Sequence, residues 1–451
     1  MTTSVKRRRS ELGLLLLGAG LIVGAYTLVS LGRTAVVPTN LRPFVGIILA
    51  LFACAHIATR RFARHADPAL LPMAVLLNGI GYVFIARLEP RLANKQAAWT
   101  AVGIVAYGLT LGIIRNVRRL EHYRYTLALL GTVLLLAPLA PAIGTNINGS
   151  RIWIRVGPLS FQPGELAKLS LAVFFASYLV EKRELLAGVR GRVGALSVPD
   201  LRHFGPILGA WAVSLVVLIA ERDLGSSMLF FALFVSMLWV ATGRGAYLVL
   251  GTLMFAVGAF VSWMSFSHVQ NRVRVWLNPW PTADRGGFQI VQSLYALGTG
   301  GMVGTGLALG DPTRIPYSYS DFIFAAVGEE LGLAGTTALL VMFVVIVGSG
   351  LRIALAADSA FEKLLATGLT TILGFQTFII VGGVTRLVPL TGVTLPFVSY
   401  GGSSLVVNYV IIALLVRISH NTTARQQAEG NPSQRQRRRR NANEMTAGAR
   451  A

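Results

Sequence analysis

Charge is what this chain has least of: 13% of its 451 residues are Asp, Glu, Lys or Arg, against roughly 25% in an average soluble domain. That scarcity excludes an ordinary soluble protein. Cysteine is almost missing as well. A lone Cys54 rules out an intramolecular disulfide, and the absence of HExxH or CxxC spacing argues against a protein-held zinc site. No internal repeat is visible, which disfavours transporters built from inverted halves.

What is present is apolar, with 54% hydrophobic residues and a mean hydropathy of +0.62. Apolar runs near the roughly 20 residues that cross a bilayer as helix recur along the chain, about twelve in all. They lie near 12–31, 43–58, 70–87, 97–114, 125–142, 165–180, 206–220, 224–241, 246–265, 321–349, 363–385 and 400–417. The expected fold is all-α: a polytopic membrane bundle of about twelve transmembrane helices with a large extracellular loop at 266–320. The first run, preceded by "KRRR", has the look of a signal peptide, but its length and the lack of a small-x-small cleavage site favour a retained helix.

The net charge of +22 raises nucleic acid as a partner, and its distribution decides against it. With the N-terminus inside, most Lys and Arg fall in cytoplasmic segments and Lys168 alone falls inside a span rather than at its end. The positive-inside rule then puts both termini in the cytoplasm. The clusters at 6–9, 59–65, 115–124 and 434–440 read as topology signals or as contacts to anionic membrane lipids. Residues 419–451 read as a basic cytoplasmic tail, disordered from Asn421 onward.

Four outward places break the apolar pattern. In "NGSRIWIRVGPLSFQPGELAKLSLAVFF", 148–175, Arg151, Trp153 and Arg155 precede a helix opened by Pro163. Glu165 and Lys168 there are three apart and share a helical face. A Lys in the apolar layer demands a partner or water, so the two form either a structural ion pair or part of a polar cavity. In "AERDLGSSM", 220–228, Asp223 is placed to cap the next helix. The long segment 266–320 carries Arg272 and Arg274 beside Trp276, either a phosphate-facing pair or solvated charges. It also carries Gln289 and Gln292 in an amphipathic piece expected along the outer surface. The last place, "GGVTRLVPLTGVTLPFVSYGGSS", 382–404, holds Arg386, Ser399, Ser403 and Ser404 in irregular backbone that needs a cavity or protein cover at that depth.

Three carboxylates stand in "RIPYSYSDFIFAAVGEELG", 314–332: Asp321, Glu329 and Glu330. Asp321 is expected in the first turn of a span, within reach of a substrate on the outer leaflet. Glu329 lies about 12 Å deeper and about 80° round the helix, where it alone could line the same cavity, and Glu330 lies on the opposite face. Structural roles are expected for both. An outward pocket with a carboxylate base, basic groups for a pyrophosphate and an apolar groove suits inverting glycosyl transfer from a lipid-diphosphate donor. A transporter or flippase with intramembrane carboxylates as relays is the competing reading, and composition leaves both open.

With these motifs in order and spacing, the chain resembles the SEDS family (shape, elongation, division and sporulation), the FtsW/RodA/SpoVE group, over about residues 70–418. The resemblance implies a peptidoglycan glycosyltransferase that polymerises lipid II, the undecaprenyl-pyrophosphate disaccharide-pentapeptide, at the outer face of the bacterial plasma membrane. It implies that Asp321 is the essential aspartate. It also implies that Glu165 and Lys168 line the central cavity, and that a class B penicillin-binding protein transpeptidase is the partner. Arg155, Arg272, Arg274, Gln289, Gln292, Arg386, Ser399 and Ser403 are the further expected substrate contacts. No fixed metal is implied, while a divalent cation, Mg2+ or Mn2+, is left open. Two departures stand out. Residues 1–69 add two spans to the family's ten, as in actinobacterial members of the elongation branch, and Arg222 replaces the Pro that usually precedes Asp-Leu-Gly.

Overall fold

The computed structural model describes residues 3–39, 41–140, 143–147, 150–156, 159–187, 189–193, 196–199, 209, 212–213, 221 and 223–429. Its helices in chain order are α1 (Thr3–Thr34), α2 (Leu41–Phe62), α3 (Leu70–Leu88), α4 (Pro90–Ile113), α5 (Arg124–Leu136), α6 (Pro163–Glu181) and α7 (Arg183–Ala187). They continue as α8 (Leu224–Thr242), α9 (Gly245–Ser265), α10 (Ser267–Leu277), α11 (Phe288–Gly300), α12 (Ile323–Ala356), α13 (Ala360–Val384) and α14 (Gly402–Glu429). Ten of these, α1 to α4, α6, α8, α9 and α12 to α14, are long and apolar enough to cross a membrane. The protein is a multi-pass membrane bundle.

Two of the expected spans are not among those ten. The run at 125–142 yields α5, 13 residues long, or about 20 Å at 1.5 Å per residue, because Pro138 turns the chain into a 3-10 turn at Ala137–Leu139. The run at 206–220 lies almost wholly outside the described residues. The segment before α6 is a sheet rather than a plain loop. Strands β1 (Gly144–Ile147), β2 (Ser150–Val156) and β3 (Leu159–Phe161) pair antiparallel in that order, with Thr145 opposite Trp153 and Arg155 opposite Ser160. Period-two alternation puts Ile152 and Ile154 on one face of β2 and Arg151, Trp153 and Arg155 on the other. A second pair, β4 (Val189–Val193) and β5 (Leu196–Pro199), follows α7.

Helix α14 is the most enclosed of the long helices, with Tyr409, Ile411, Leu415 and Val416 buried against α3, α4, α6, α12 and α13. It does not stop where the tail was expected to begin. Residues 419–429 continue the helix, because Arg425 reaches Glu362 at 3.1 Å and Asp358 at 3.4 Å; the rest of the tail lies outside the described residues. The two added helices dock through their own apolar cluster of Ile22, Val29, Phe44, Ile48 and Val83. Buried Glu11 on α1 also holds His56 of α2 at 2.7 Å and pairs with Arg60.

The span expected at 321–349 is not one continuous helix. At Gly332 the backbone turns to φ 65°, ψ −164° and splits α12 into 323–331 and 333–356. Such a break frees backbone groups that must be answered inside a membrane, and the segment just after α11 answers them. Leu333 and Ala334 N–H donate to the carbonyls of Gly301 and Met302 at 2.9 and 3.0 Å, while Thr305 and Gly306 N–H donate to those of Glu329 and Glu330, each at 3.0 Å. A side chain at 332 would put its Cβ 2.3 Å from the Gly304 nitrogen. Gly332→Ala is therefore expected to cost about 1–3 kcal/mol in strain alone and to lower the thermal unfolding midpoint in detergent. An unchanged midpoint would show that the break is not fixed by Gly332.

Candidate active site

Asp321 lies two residues before α12, in the turn that enters it, rather than in a first helical turn. The residue is half-buried, and Oδ1 accepts a hydrogen bond from the Ser320 hydroxyl at 2.8 Å. A second segment brackets this turn. Ser399 Oγ donates to the Ser320 carbonyl at 2.6 Å and accepts from Leu395 N–H at 2.9 Å, while Tyr400 N–H donates to the Tyr319 carbonyl at 2.9 Å. Gly392, exposed and at φ 78°, brings the same segment beside the acid: a Cβ there would stand 3.8 Å from Asp321 Oδ2.

Two other motifs close on this segment. Asp223 caps α8 by accepting from Gly225 and Ser226 N–H at 3.0 and 3.1 Å, as the capping reading expects. Its turn is pressed on residues 391–393, since a Cβ on Gly225 would lie 2.1 Å from Val393 Cγ2; Arg222 lies outside the described residues. From α10, Arg272 donates to the Leu390 carbonyl at 2.6 Å. Trp276 donates to the Arg386 carbonyl at 3.1 Å, and the Arg386 guanidinium donates to the Leu277 carbonyl at 2.9 Å. Ser293 on α11 donates to the Val384 carbonyl at 3.0 Å.

Burial holds the Asp321 carboxyl above the ordinary aspartate range. The Ser320 hydroxyl and the Arg272 charge pull it back, and the Asp223 charge adds to the rise. Glu221, buried two residues before Asp223, is pushed up to about 8, first by burial and then by the Asp223 charge. The result is a carboxylate that is a better base than a solvated one, with a guanidinium in its field.

The other expected residues divide. Glu165 and Lys168 are both buried, paired at 2.8 Å, and Lys168 also donates to Gln376 Oε1 at 3.0 Å. Ser403 accepts from Gln162 N–H at 3.0 Å, fastening the start of α14 to α6. Arg155 on β2 and Arg274 on α10 are exposed, while Gln289 and Gln292 are half-buried on α11. The side chains of these four make no hydrogen bond or ion pair among the described residues. Glu329 and Glu330 belong elsewhere: Glu329 accepts from Asp311 N–H at 2.7 Å, and Glu330 accepts from Ala308 N–H at 3.0 Å and pairs with Arg87 at 3.2 Å. The helix-wheel placement of Glu329 near Asp321 does not apply, because Asp321 lies in the turn before α12 and not on the helix. Gln376, Thr394 and Ser320 were not singled out in the sequence. Gln376 could have been, as a lone amide in an apolar run. Among the described residues no group of three His, Cys, Asp or Glu stands close enough together to hold a metal ion.

This cluster is built from "ERDLG", "RVRVW", "SYSDF" and "TGVTLPFVSYGGSS", and residues 70–424 match the family model described as cell cycle protein, FtsW/RodA/SpoVE. The chain belongs to that family. It is 44% identical over 425 residues to the peptidoglycan glycosyltransferase RodA of Mycobacterium tuberculosis, covering 92% of this chain and 91% of that one. A probable peptidoglycan glycosyltransferase FtsW of Geobacter metallireducens is 33% identical over 366 residues, 78% of this chain and 94% of the other. Among solved structures, a chain from work on the coordination of polymerization and crosslinking by a peptidoglycan synthase complex superposes with a TM-score of 0.64 at 26% identity. It covers 79% of this chain and 98% of that one. The family fold is shared.

Stability separates Glu330 from Asp321. Glu330→Gln breaks the pair with Arg87 and is expected to cost about 3–5 kcal/mol, read as a lower unfolding midpoint. Asp321→Asn is expected to do the opposite at neutral pH. A carboxyl whose pKa is raised in the fold destabilises the fold when ionised, so removing the charge stabilises it. That gain should vanish below the ordinary value of 3.8, where the parent acid is already neutral. A destabilised Asp321→Asn chain at neutral pH would contradict the environment described.

Proposed function

We propose that this chain polymerises lipid II into glycan strands at the outer face of the plasma membrane during cell elongation, with Asp321 as general base. The observation that carries the reading is the placement of Asp321. It is a carboxylate with a raised pKa, fixed by two hydrogen-bonded segments at the outward end of a span, with Arg272 acting on it. The 44% identity to a peptidoglycan glycosyltransferase supports the reaction class and the elongation branch. Both termini lie in the cytoplasm in this reading, which puts the cluster outside.

The step balances simply. Asp321 takes the proton from an acceptor sugar hydroxyl as its oxygen forms a bond to the donor's anomeric carbon, and the bond from that carbon to the pyrophosphate oxygen breaks. Undecaprenyl pyrophosphate leaves, and its new negative charge falls to the basic groups of the outward face. Arg272 has guanidinium N–H groups beyond the one on Leu390, and five donors are available to each arginine. Lipid tails lie in the membrane beside the bundle. A class B penicillin-binding protein transpeptidase is the partner that cross-links the product.

The test is polymerisation of purified lipid II with the transpeptidase partner, read as glycan strand length. Asp321→Asn is expected to lose about 100-fold or more of the rate while remaining folded. Parental polymerisation by Asp321→Asn would overturn the assignment. Translocation of lipid II across liposomes that survives Asp321→Asn but fails on Lys168→Met would point to a flippase instead.

A further inference from the structure

Gln376 sits in the middle of α13 with no exposed surface. Nothing in the chemistry proposed above uses it, yet it occupies a position that few side chains could fill. Its Oε1 accepts from the Lys168 ammonium at 3.0 Å, and its Nε2 donates to the Thr394 carbonyl at 2.8 Å. An ammonium can only donate and a peptide carbonyl can only accept, so the group between them must do both. An amide does this without charge, and the two partners fix which end is oxygen.

The connection continues beyond Thr394. The Thr394 carbonyl and the Leu395 N–H are the two ends of one peptide group. That N–H donates to Ser399 Oγ at 2.9 Å, and Ser399 Oγ donates to the Ser320 carbonyl at 2.6 Å. The Ser320 carbonyl belongs to the peptide that leads into Asp321. Every donor in the series points the same way, from the Glu165–Lys168 pair toward the acid, and aligned bonds of this kind strengthen one another in a low dielectric.

We infer that Gln376 is a positioning residue, coupling the buried Glu165–Lys168 pair to the peptide that aims the Asp321 carboxyl. The inference rests on Asp321 acting as the base. Glu165 and Lys168 then affect turnover through the backbone of residues 394–399, with no need to touch the sugar. Removing the amide leaves Lys168 with one partner fewer and frees the Thr394 carbonyl. The loop that holds Gly392 beside Asp321 and Ser399 on Ser320 loses its anchor from α13.

The experiment measures polymerisation rates against lipid II concentration for folded Gln376→Leu and Gln376→Glu, with Asp321→Asn alongside. Gln376→Leu is expected to lower kcat about tenfold or more with KM nearly unchanged, the pattern of a group that acts only on the transition state. Gln376→Glu keeps the bond to Lys168 but can donate to the Thr394 carbonyl only when protonated. Its rate relative to the parent at the same pH should therefore rise as pH falls, which a merely structural role would not produce. A parental kcat in Gln376→Leu, a change confined to KM, or a flat pH ratio for Gln376→Glu would overturn the inference; if Gln376→Leu fails to fold, the pH ratio alone decides. If Asp321→Asn is inactive while Gln376→Leu is parental, only the inference about Gln376 fails. An active Asp321→Asn fails the base assignment, and this inference with it.

Discussion

The region around Asp321 depends on one constraint: irregular backbone at membrane depth must have its N–H and C=O groups answered by protein. Two segments meet it by exchanging hydrogen bonds with broken elements. Residues 301–306 fill the break in α12 at Gly332, and residues 395–400 grip residues 319–320 just before that helix. The position of Asp321 follows from both. It is held between a fixed helix start and a fixed loop, which is how a single acid in a turn keeps one orientation without a large surrounding cluster.

Charge inside the bundle follows the same economy. Three buried carboxylates each join two elements: Glu11 joins α1 and α2, Glu330 holds Arg87 of α3 and the backbone at Ala308, and Glu362 meets Arg425 of α14. Removing one partner would leave a charge without compensation, which costs more than the pair itself contributes. Lys168 differs because one of its partners is a neutral amide whose far end reaches the active loop. Asp321 differs again, since burial raises its pKa and its one hydrogen-bond partner among the described residues is the Ser320 hydroxyl. The acid that the fold serves least well is the one proposed to react.

Much of this was legible in the sequence. Long apolar runs announced the spans, and the motifs around Asp321, Glu165, Lys168, Arg272, Arg386 and Ser399 announced the cluster. What the sequence hid was local. Pro138 shortens α5, the alternation at 151–155 is a strand rather than a loop, and Gly332 breaks a run that hydropathy reads as one helix. Hydropathy measures burial and says nothing of backbone dihedrals, so a glycine with φ 65° is invisible to it. Gln376 was visible as a lone amide in an apolar run, but its role was hidden because Lys168 lies far away along the chain and Thr394 lies in a different segment.

The pH dependence of strand elongation tests the central claim most directly. If Asp321 is the base, the rate falls on the acid side with a midpoint above the ordinary aspartate value of 3.8, and Arg272→Met moves that midpoint higher by removing the charge that favours the ionised form. An acid limb that stays in place when Arg272 is replaced, or that persists unchanged in the residual activity of Asp321→Asn, would contradict it.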